Sequence, residues 1–137
     1  TYVVKDTISQ EISGYFSLKA SMVSINETKI GDHDTFDTLP AIELANFAIN
    51  DSYISKHPEM KGCGYVIFRN HIVSIVRKVS ELIGVKYLCI FALPDDSLIE
   101  RYNEYGFHRL SEKNEKALHN RIKPRYDEDC IFMYQEV

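Results

Sequence analysis

The chain has 137 residues, of which 45% are hydrophobic and 26% charged, and its formal net charge at pH 7 is −4. This length gives one domain with its own core and is too short for two, so we expect a single domain over residues 1–137. The acidic balance does not favour a nucleic-acid partner, whose binding surface would be basic. No apolar run is long enough to span a membrane and no signal peptide opens the chain, so we expect a cytoplasmic protein without a membrane partner.

The cysteines and the first residue bear on metal binding and on processing. Cys63, Cys89 and Cys130 lie far apart and show no CxxC or CxxH spacing. An odd count without such spacing argues against a disulfide scaffold and a structural zinc site, so we expect reduced thiols and no metal.

The sequence opens at Thr1, without a methionine and directly in strand-like residues, and we therefore expect a longer natural chain or a processed one.

The first part of the chain predicts two antiparallel strands. Residues 1–5 are rich in β-formers, and residues 12–25 ("ISGYFSLKASMVSI") alternate with aromatic and β-branched side chains. The segment between them predicts the turn of a hairpin. Residues 26–40 are polar, with a glycine, several aspartates and a proline, and predict a loop.

The middle of the chain predicts a β-loop-α-β unit with a right-handed crossover. Residues 41–50 ("AIELANFAIN") are apolar and short, which favours a strand, and a polar run from residue 50 to 61 predicts a loop. In residues 63–83 the apolar side chains recur at steps of three and four, which predicts an amphipathic helix that ends at Gly84. Residues 85–93 ("VKYLCIFAL") predict a strand covered on both faces.

The last part of the chain predicts shorter elements. Residues 94–97 give a turn and an N-cap, and a short helix over 98–105 ends at Gly106. Residues 108–126 are polar and predict the start of a strand with a helical insertion. Residues 130–135 ("CIFMYQ") predict the closing strand.

The segment "EMKGCG" (59–64) stands at the start of the predicted helix. Gly62 and Gly64 would let the backbone approach an anion, the helix start supplies N–H groups, and Lys61 adds a positive charge. The segment is not a P-loop, because no Gly-Lys-Ser/Thr follows, and Ile67 stands where a dinucleotide fingerprint needs a third glycine. On these residues alone, a phosphate site and a helix start without a ligand are equally open.

A second motif, "RYNEYGF" (101–107), follows the second strand, and with it the chain resembles the GCN5-related N-acetyltransferases (GNATs). That family shows a strand, then Gln/Arg-x-x-Gly-x-Gly/Ala opening a helix, a second strand, and a short helix that ends in Tyr-x-x-x-Gly-Phe. The same order is present here over about residues 12–107. The resemblance implies a mixed α/β fold, with a twisted, mostly antiparallel sheet whose central parallel strand pair splays around the cofactor, flanked by helices.

The chain departs from the family pattern at several positions. Glu59 stands at the Gln/Arg position, so its carboxylate is expected to point away from a bound diphosphate. Arg101 replaces the phenylalanine that precedes the tyrosine, and Asp95 stands where an asparagine is common. The loop over 50–61 is longer than usual, and the family's first strand and first two helices, which form part of the acceptor site, would precede Thr1.

The resemblance implies acetyl-CoA (CoA after transfer) as the cofactor. Its pantetheine arm would pair with the first parallel strand, one N–H of which would polarise the thioester carbonyl. Its diphosphate would meet the glycine-rich helix start, and the turn before the short helix would complete the site. The cofactor-binding residues expected on this basis are Phe47, Ile49, Asp51, Lys61, Gly62, Cys63, Gly64, Tyr65, Asp95 and Ser97.

Tyr102 matches the tyrosine that serves the family as general acid toward the leaving thiolate. The free pKa of tyrosine, ~10, is close enough to that of a thiol, ~8.5, for proton exchange. The alternative is a half-buried aromatic residue that packs its helix. Glu43, on the first parallel strand, is a candidate base, although a salt-bridged or solvent-facing carboxylate is the favoured interpretation. Cys63 is interpreted as a small loop residue, since a nucleophile would need an activating histidine.

The function implied by the resemblance is acetyl transfer to a primary amine of a small molecule or peptide, by direct attack. One alternative is a GNAT toxin that acetylates aminoacyl-tRNA, because "ISGYFSLKAS" followed by "LP" resembles such toxins. A basic strip would suit tRNA, and it comprises Arg109, Lys113, Lys116, Arg121, Lys123 and Arg125. A second alternative is a non-catalytic CoA-binding or protein-interaction domain. A homodimer is compatible with all three.

Overall fold

The computed structural model describes residues 1–30, 33–121 and 129–137, with the side chains of 26–30, 33, 34, 36 and 121 left aside. A 3₁₀ turn (Pro58–Met60) and a π-helical turn (Phe68–Ile72) stand beside the α-helices and strands. In chain order the elements are β1 (Tyr2–Lys5), β2 (Ile12–Ile30), β3 (His33–Ile49), α1 (Asp51–Lys56), α2 (Cys63–Ile67), α3 (Val73–Ile83), β4 (Tyr87–Ala92), α4 (Asp96–Glu104), β5 (His108–Arg109), α5 (Glu112–Arg121) and β6 (Ile131–Glu136).

The strands form one six-stranded sheet in the order β1-β2-β3-β4-β6-β5. All neighbouring strands are antiparallel except β3 and β4, which are parallel and lie at the centre. A parallel pair needs a crossover, and the helices between β3 and β4 provide it. The predicted fold class, a mixed α/β fold with a mostly antiparallel sheet and one central parallel pair, is confirmed.

The central parallel pair is short and then opens. Ala41–Glu43 of β3 pair with Tyr87–Cys89 of β4, and no further residues of the two strands pair. Beyond this point β3 continues along β2 to Ile49, while β4 continues along β6 to Ala92. The carboxyl ends of the two strands therefore separate and leave a gap in the middle of the sheet.

The loop predicted over residues 26–40 is wrong over its described part. Strands β2 and β3 form one long antiparallel hairpin, whose register continues to the pair Ile30↔His33. A two-stranded ribbon bonds its backbone groups across the ladder without burying an apolar face, so it needs no alternating apolar pattern. Pro40 fits because it precedes Ala41, where the pairing with β4 begins.

The polar run between β3 and α2 is also more ordered than the predicted loop. The Asn50 side chain caps α1 by accepting a hydrogen bond from the Ser52 N–H at 3.0 Å. Asparagine is among the best N-cap residues, and this cap explains a helix in a segment without apolar periodicity. The predicted helix over 63–83 is present as α2, the π-helical turn and α3, and it ends at Gly84 with φ 68°.

The two faces of the sheet carry separate cores. Helices α2, α3 and α4 cover one face around Phe16, Leu44 and Phe68. Helix α5 covers the other face around Val23 and Phe132. None of the helices in the described ranges is long and apolar enough to cross a membrane.

Candidate active site

A cleft of about 500 Å³ lies where β3 and β4 separate. Its walls are the end of β3 with the start of α1, the glycine-rich start of α2, and one face of α4. The lining residues are Phe47, Ala48, Ile49, Asp51, Ile54, Lys61, Gly62, Cys63, Gly64, Leu98, Arg101, Tyr102 and Tyr105. Residues far apart in the sequence thus meet at the opening of the parallel pair.

The α2 wall is formed by residues 61–64, as the "EMKGCG" motif predicts. Gly62 is the N-cap of α2 and has φ 89°, a left-handed conformation that other residues adopt at a cost. The N–H of Tyr65 donates to the Gly62 carbonyl at 3.1 Å, and the N–H of Lys61 donates to the Pro58 carbonyl at 3.2 Å. Five backbone N–H groups, those of residues 61–65, are expected to meet a diphosphate. Of these, the N–H groups of Gly62, Cys63 and Gly64 belong to cleft-lining residues and form neither of the two hydrogen bonds just described.

Gly64 lies close to both of the other walls of the cleft. A Cβ atom at this position would lie 3.4 Å from Ile49 Cγ1 of β3 and 3.4 Å from Tyr105 Oη of α4. The absence of a side chain therefore keeps the space between the end of β3 and Tyr105 open. Such space lets a ligand come close to the backbone at a helix start.

The α4 wall is one helix face, formed by Leu98, Arg101, Tyr102 and Tyr105 at steps of three and four. Tyr102 is 7% exposed, and its ring meets those of Tyr105 and Phe107 edge to face, with centroids 6.1 and 5.7 Å apart. Burial, and then nearby Tyr105, raise the pKa of Tyr102 to about 12, while the charge of Arg101 opposes the rise. The hydroxyl therefore stays protonated and remains a hydrogen-bond donor at neutral pH.

The predicted site residues Phe47, Ile49 and Asp51 line the β3 wall. They lie in the stretch that follows the last parallel pair, Glu43 with Cys89, so β4 does not pair with this part of β3. A strand that lacks a neighbour on one side can pair with an extended ligand on that side. This is the arrangement expected for a pantetheine arm.

Glu43 lies outside the cleft, in the centre of the sheet. Its side chain is 1% exposed, and Oε1 forms an ion pair with Lys19 Nζ at 2.8 Å, although the angles are not those of a hydrogen bond. Ser21 Oγ donates to Oε2 at 3.4 Å. The carboxylate is thus held by β2, the strand next to it, which favours the salt-bridged interpretation over a base.

Three further predicted cofactor contacts do not line the cleft. Tyr65 is 48% exposed and packs its ring against Tyr105. Asp95 caps α4, because its Oδ1 accepts hydrogen bonds from Ser97 Oγ at 2.6 Å and from the Leu98 N–H at 2.9 Å. These two bonds, the one from Ser97 foremost, lower the pKa of Asp95. Asp95 and Ser97 are thus accounted for by helix capping.

Five lining residues were not among the predicted contacts, namely Ala48, Ile54, Leu98, Arg101 and Tyr105. Arg101 and Tyr105 belong to the "RYNEYGF" motif, and the steps of three and four from Leu98 to Tyr105 mark the shared helix face. Ile54 belongs to α1, in a segment that was predicted to be a loop. The apolar pattern of that segment therefore did not indicate that Ile54 lines the cleft. Within the described ranges no three His, Cys, Asp or Glu side chains could hold a metal ion.

A polar network fixes α1 beside the cleft. Tyr53 Oη donates to Asp6 Oδ2 at 2.9 Å, and His57 Nε2 lies 2.9 Å from Glu11 Oε2. On its other side, His57 Nδ1 lies 3.4 Å from Glu59 Oε1, whose side chain is 68% exposed. Glu59 thus contacts His57 and is not one of the residues that line the cleft.

This network predicts a pH-dependent stability. The hydrogen bond to Glu11, and then Glu59, raises the pKa of His57 above its usual value of about 6.5. The stabilisation is complete below the unfolded-state pKa and is lost as pH rises through the folded-state pKa. We therefore expect the melting temperature of the wild type to fall between pH 6 and pH 8.5 by more than that of His57→Gln. Equal slopes in differential scanning fluorimetry would contradict this role.

Comparison of the structure with solved structures identifies several toxins with the same fold, although no family model and no curated protein matches the sequence. A mutant of the AtaT toxin is 19% identical over 95% of this chain and 62% of that chain, with a TM-score of 0.61. AtaT complexed with acetyl-methionyl-tRNAfMet is 20% identical over 93% and 65%, with a TM-score of 0.57. AtaTR bound with acetyl-CoA is 17% identical over 96% and 65%, with a TM-score of 0.59.

The chain therefore spans less than two thirds of the length of these toxins. At this level of identity the likeness concerns the fold. The chain has the fold of the GCN5-related N-acetyltransferases, in agreement with the family that its two motifs resemble.

Proposed function

We propose that the chain is the core of an acetyl-CoA-dependent N-acetyltransferase that acetylates a primary amine. The observation that carries the proposal is the cleft at the opening of the parallel pair, which brings the glycine-rich start of α2 and Tyr102 of α4 together. One part of the cleft suits a diphosphate and the other offers a protonated hydroxyl. The likeness in fold to AtaTR bound with acetyl-CoA supports the same cofactor.

The residues present fit this cofactor. Gly62, Cys63 and Gly64 would meet the diphosphate with backbone N–H groups at a helix start, with Lys61 as a point charge. The edge of β3 at Phe47 and Ile49 that faces away from β2 and has no partner in β4 would pair with the amide-containing pantetheine arm. The open space at Gly64 is where a side chain would obstruct the approach.

Acetyl-CoA supplies an activated acetyl group: an N–C bond forms to the attacking neutral amine, the C–S bond breaks, and the amine loses a proton while the thiolate gains one. An N–H near Ile49 would polarise the carbonyl of the thioester. Tyr102 would donate a hydrogen bond to the leaving sulfur, or its proton, in which case the tyrosinate would regain a proton from water. The pKa of Tyr102, which burial raises to about 12, lies above that of an ordinary thiol, about 8.5, so a hydrogen bond from the hydroxyl to the leaving sulfur is favoured over full proton transfer.

Glu43 is not the proposed base, since its carboxylate is buried against Lys19 and does not line the cleft. The amine would lose its proton to water at the open side of the cleft. Attack by a neutral amine then depends on the pKa of the acceptor itself. A weakly basic amine would be present in its reactive form at neutral pH without a protein base.

The amino group of an aminoacyl-tRNA is the second, more specific proposal for the acceptor. The fold is shared with AtaT complexed with acetyl-methionyl-tRNAfMet, and this observation favours tRNA over other amines. In the predicted basic strip, Lys113 and Lys116 belong to α5, and Arg109 contacts Glu115 at 3.3 Å. The side chain of Arg121, together with Lys123 and Arg125, lies outside the described residues.

Binding and turnover assays separate the three candidate functions. With CoA at ~100 times its Kd, the free energy of unfolding is expected to rise by about 2.7 kcal/mol, measured by thermal denaturation. Release of CoA thiol from acetyl-CoA is then followed with a panel of small amines, peptides and aminoacyl-tRNAs. No stabilisation by CoA would overturn the cofactor assignment. Stabilisation without turnover on any acceptor would favour the non-catalytic CoA-binding domain.

A further inference from the structure

Arg101 is a charged residue on the cleft-lining face of α4. It stands one residue before Tyr102 and four before Tyr105, and all three line the cleft. Both tyrosines are buried, whereas Arg101 is exposed, so the arginine lies at the mouth of the cleft and the tyrosines lie deeper. A cation at this position meets the outer part of any ligand that enters.

Among the described residues, no carboxylate oxygen lies within 4.0 Å of the Arg101 guanidinium, and its charge contributes only the last of the causes that lower the pKa of Asp95. The ion pairs of the described chain involve other cations, and the side chain of Arg101 donates no hydrogen bond within it. An arginine side chain that lines a cleft without an ion-pair or hydrogen-bond partner is available for bidentate contacts with an anion. This availability distinguishes Arg101 from Arg109, which contacts Glu115.

The α2 wall also carries a single cation, Lys61, which is exposed and stands directly before Gly62. Glu59, two residues earlier, is negative, contacts His57 and does not line the cleft. The glycine-rich turn itself thus contributes little positive charge to an anionic ligand. CoA carries a diphosphate and a 3′-phosphate, so a second cation besides Lys61 would add a charge-assisted contact.

We propose that Arg101 is a phosphate-binding residue that contacts a phosphate of the cofactor from the α4 wall, while Lys61 and the start of α2 contact the diphosphate from the other wall. This inference rests on the proposed function. It assigns to α4 a role in selecting the phosphorylated cofactor over its uncharged pantetheine part. The charge of Arg101 also lowers the pKa values of Tyr102 and Tyr105, against the effect of burial, which agrees with a guanidinium close to the cleft.

Calorimetric titration of Arg101→Gln, Arg101→Lys and the wild type with CoA, dephospho-CoA and pantetheine tests the proposal. Loss of one charge-assisted contact is expected to weaken CoA binding by about 10- to 100-fold in Arg101→Gln and by less in Arg101→Lys. Pantetheine affinity is expected to stay unchanged. Arg77→Gln, which removes an exposed cation of α3 outside the cleft, is the matched control and is expected to bind CoA as the wild type does.

The ligand series also identifies the phosphate. If Arg101→Gln binds dephospho-CoA more weakly than the wild type does, Arg101 contacts the diphosphate. If the two proteins bind dephospho-CoA equally well, Arg101 contacts the 3′-phosphate. An unchanged CoA affinity in Arg101→Gln, or an equal loss for pantetheine, would overturn the role of Arg101 while the cofactor site stands. A wild type that does not bind CoA would overturn both proposals.

Discussion

Replacement of Tyr102 by phenylalanine is expected to lower kcat for acetyl transfer by about 10²- to 10⁴-fold, the usual contribution of a general acid. The substitution removes one hydroxyl and keeps the ring, which packs edge to face against Tyr105 and Phe107. The fold and the affinity for CoA should therefore remain close to those of the wild type. The measurement is the rate of thiol release from acetyl-CoA with a saturating acceptor.

Tyr65→Phe is the matched control for this substitution. Tyr65 is 48% exposed and does not line the cleft, so loss of its hydroxyl should leave kcat unchanged. If Tyr102→Phe and Tyr65→Phe turn over at the same rate as the wild type, Tyr102 has no acid role. A fall in kcat caused by unfolding would be recognised by a lower melting temperature.

The pH profile gives a second check on the same residue. A general acid acts in its protonated form, so activity is lost as pH rises through its pKa. Because burial raises the pKa of Tyr102 to about 12, this loss is not expected near pH 10, where an ordinary tyrosine would titrate. An alkaline limb with an apparent pKa near 10 that disappears in Tyr102→Phe would contradict the buried position.

The parts of the fold that depend on burial could be predicted from the sequence. The helix over 63–83 has an apolar stripe because α3 packs on the sheet, and residues 87–92 are apolar throughout because both faces of β4 are covered. The β2–β3 hairpin could not be predicted in the same way. Its outer part is held by backbone pairing between polar residues, and pairing leaves no apolar pattern in the sequence.

The residues of the candidate site likewise divide into those with a local signal in the sequence and those without one. Gly62, Gly64 and Tyr102 belong to short motifs with a local backbone reason, and the structure places all three on the cleft. Asp95 was predicted both to cap α4 and to contact the cofactor. Its carboxylate accepts hydrogen bonds from Ser97 and Leu98, which explains the cap but not a cofactor contact. The position of a wall residue such as Ile54 depends on how α1 lies against β3, which is a tertiary property.

Replacement of Gly64 by leucine is expected to weaken CoA binding by roughly 100-fold, since overpacking a closely fitted site costs about 1–3 kcal/mol. A Cβ atom at Gly64 already reaches 3.4 Å from Ile49 Cγ1 and from Tyr105 Oη, so the remaining leucine atoms must enter the cleft. Gly64→Ala places only that Cβ atom and should weaken binding by less than tenfold. The measurement is the Kd for CoA by calorimetric titration.

Val66→Leu provides the control for a leucine in the same helical turn, because Val66 is exposed and does not line the cleft. Its affinity for CoA should match that of the wild type. The graded order, with alanine mild and leucine severe at position 64, separates obstruction of the cleft from a general disturbance of α2, in which Val66→Leu would also lose affinity. Tight CoA binding by a folded Gly64→Leu variant would mean that the cofactor does not pass between β3 and α4, and the cleft would then lose its assignment as the acetyl-CoA site.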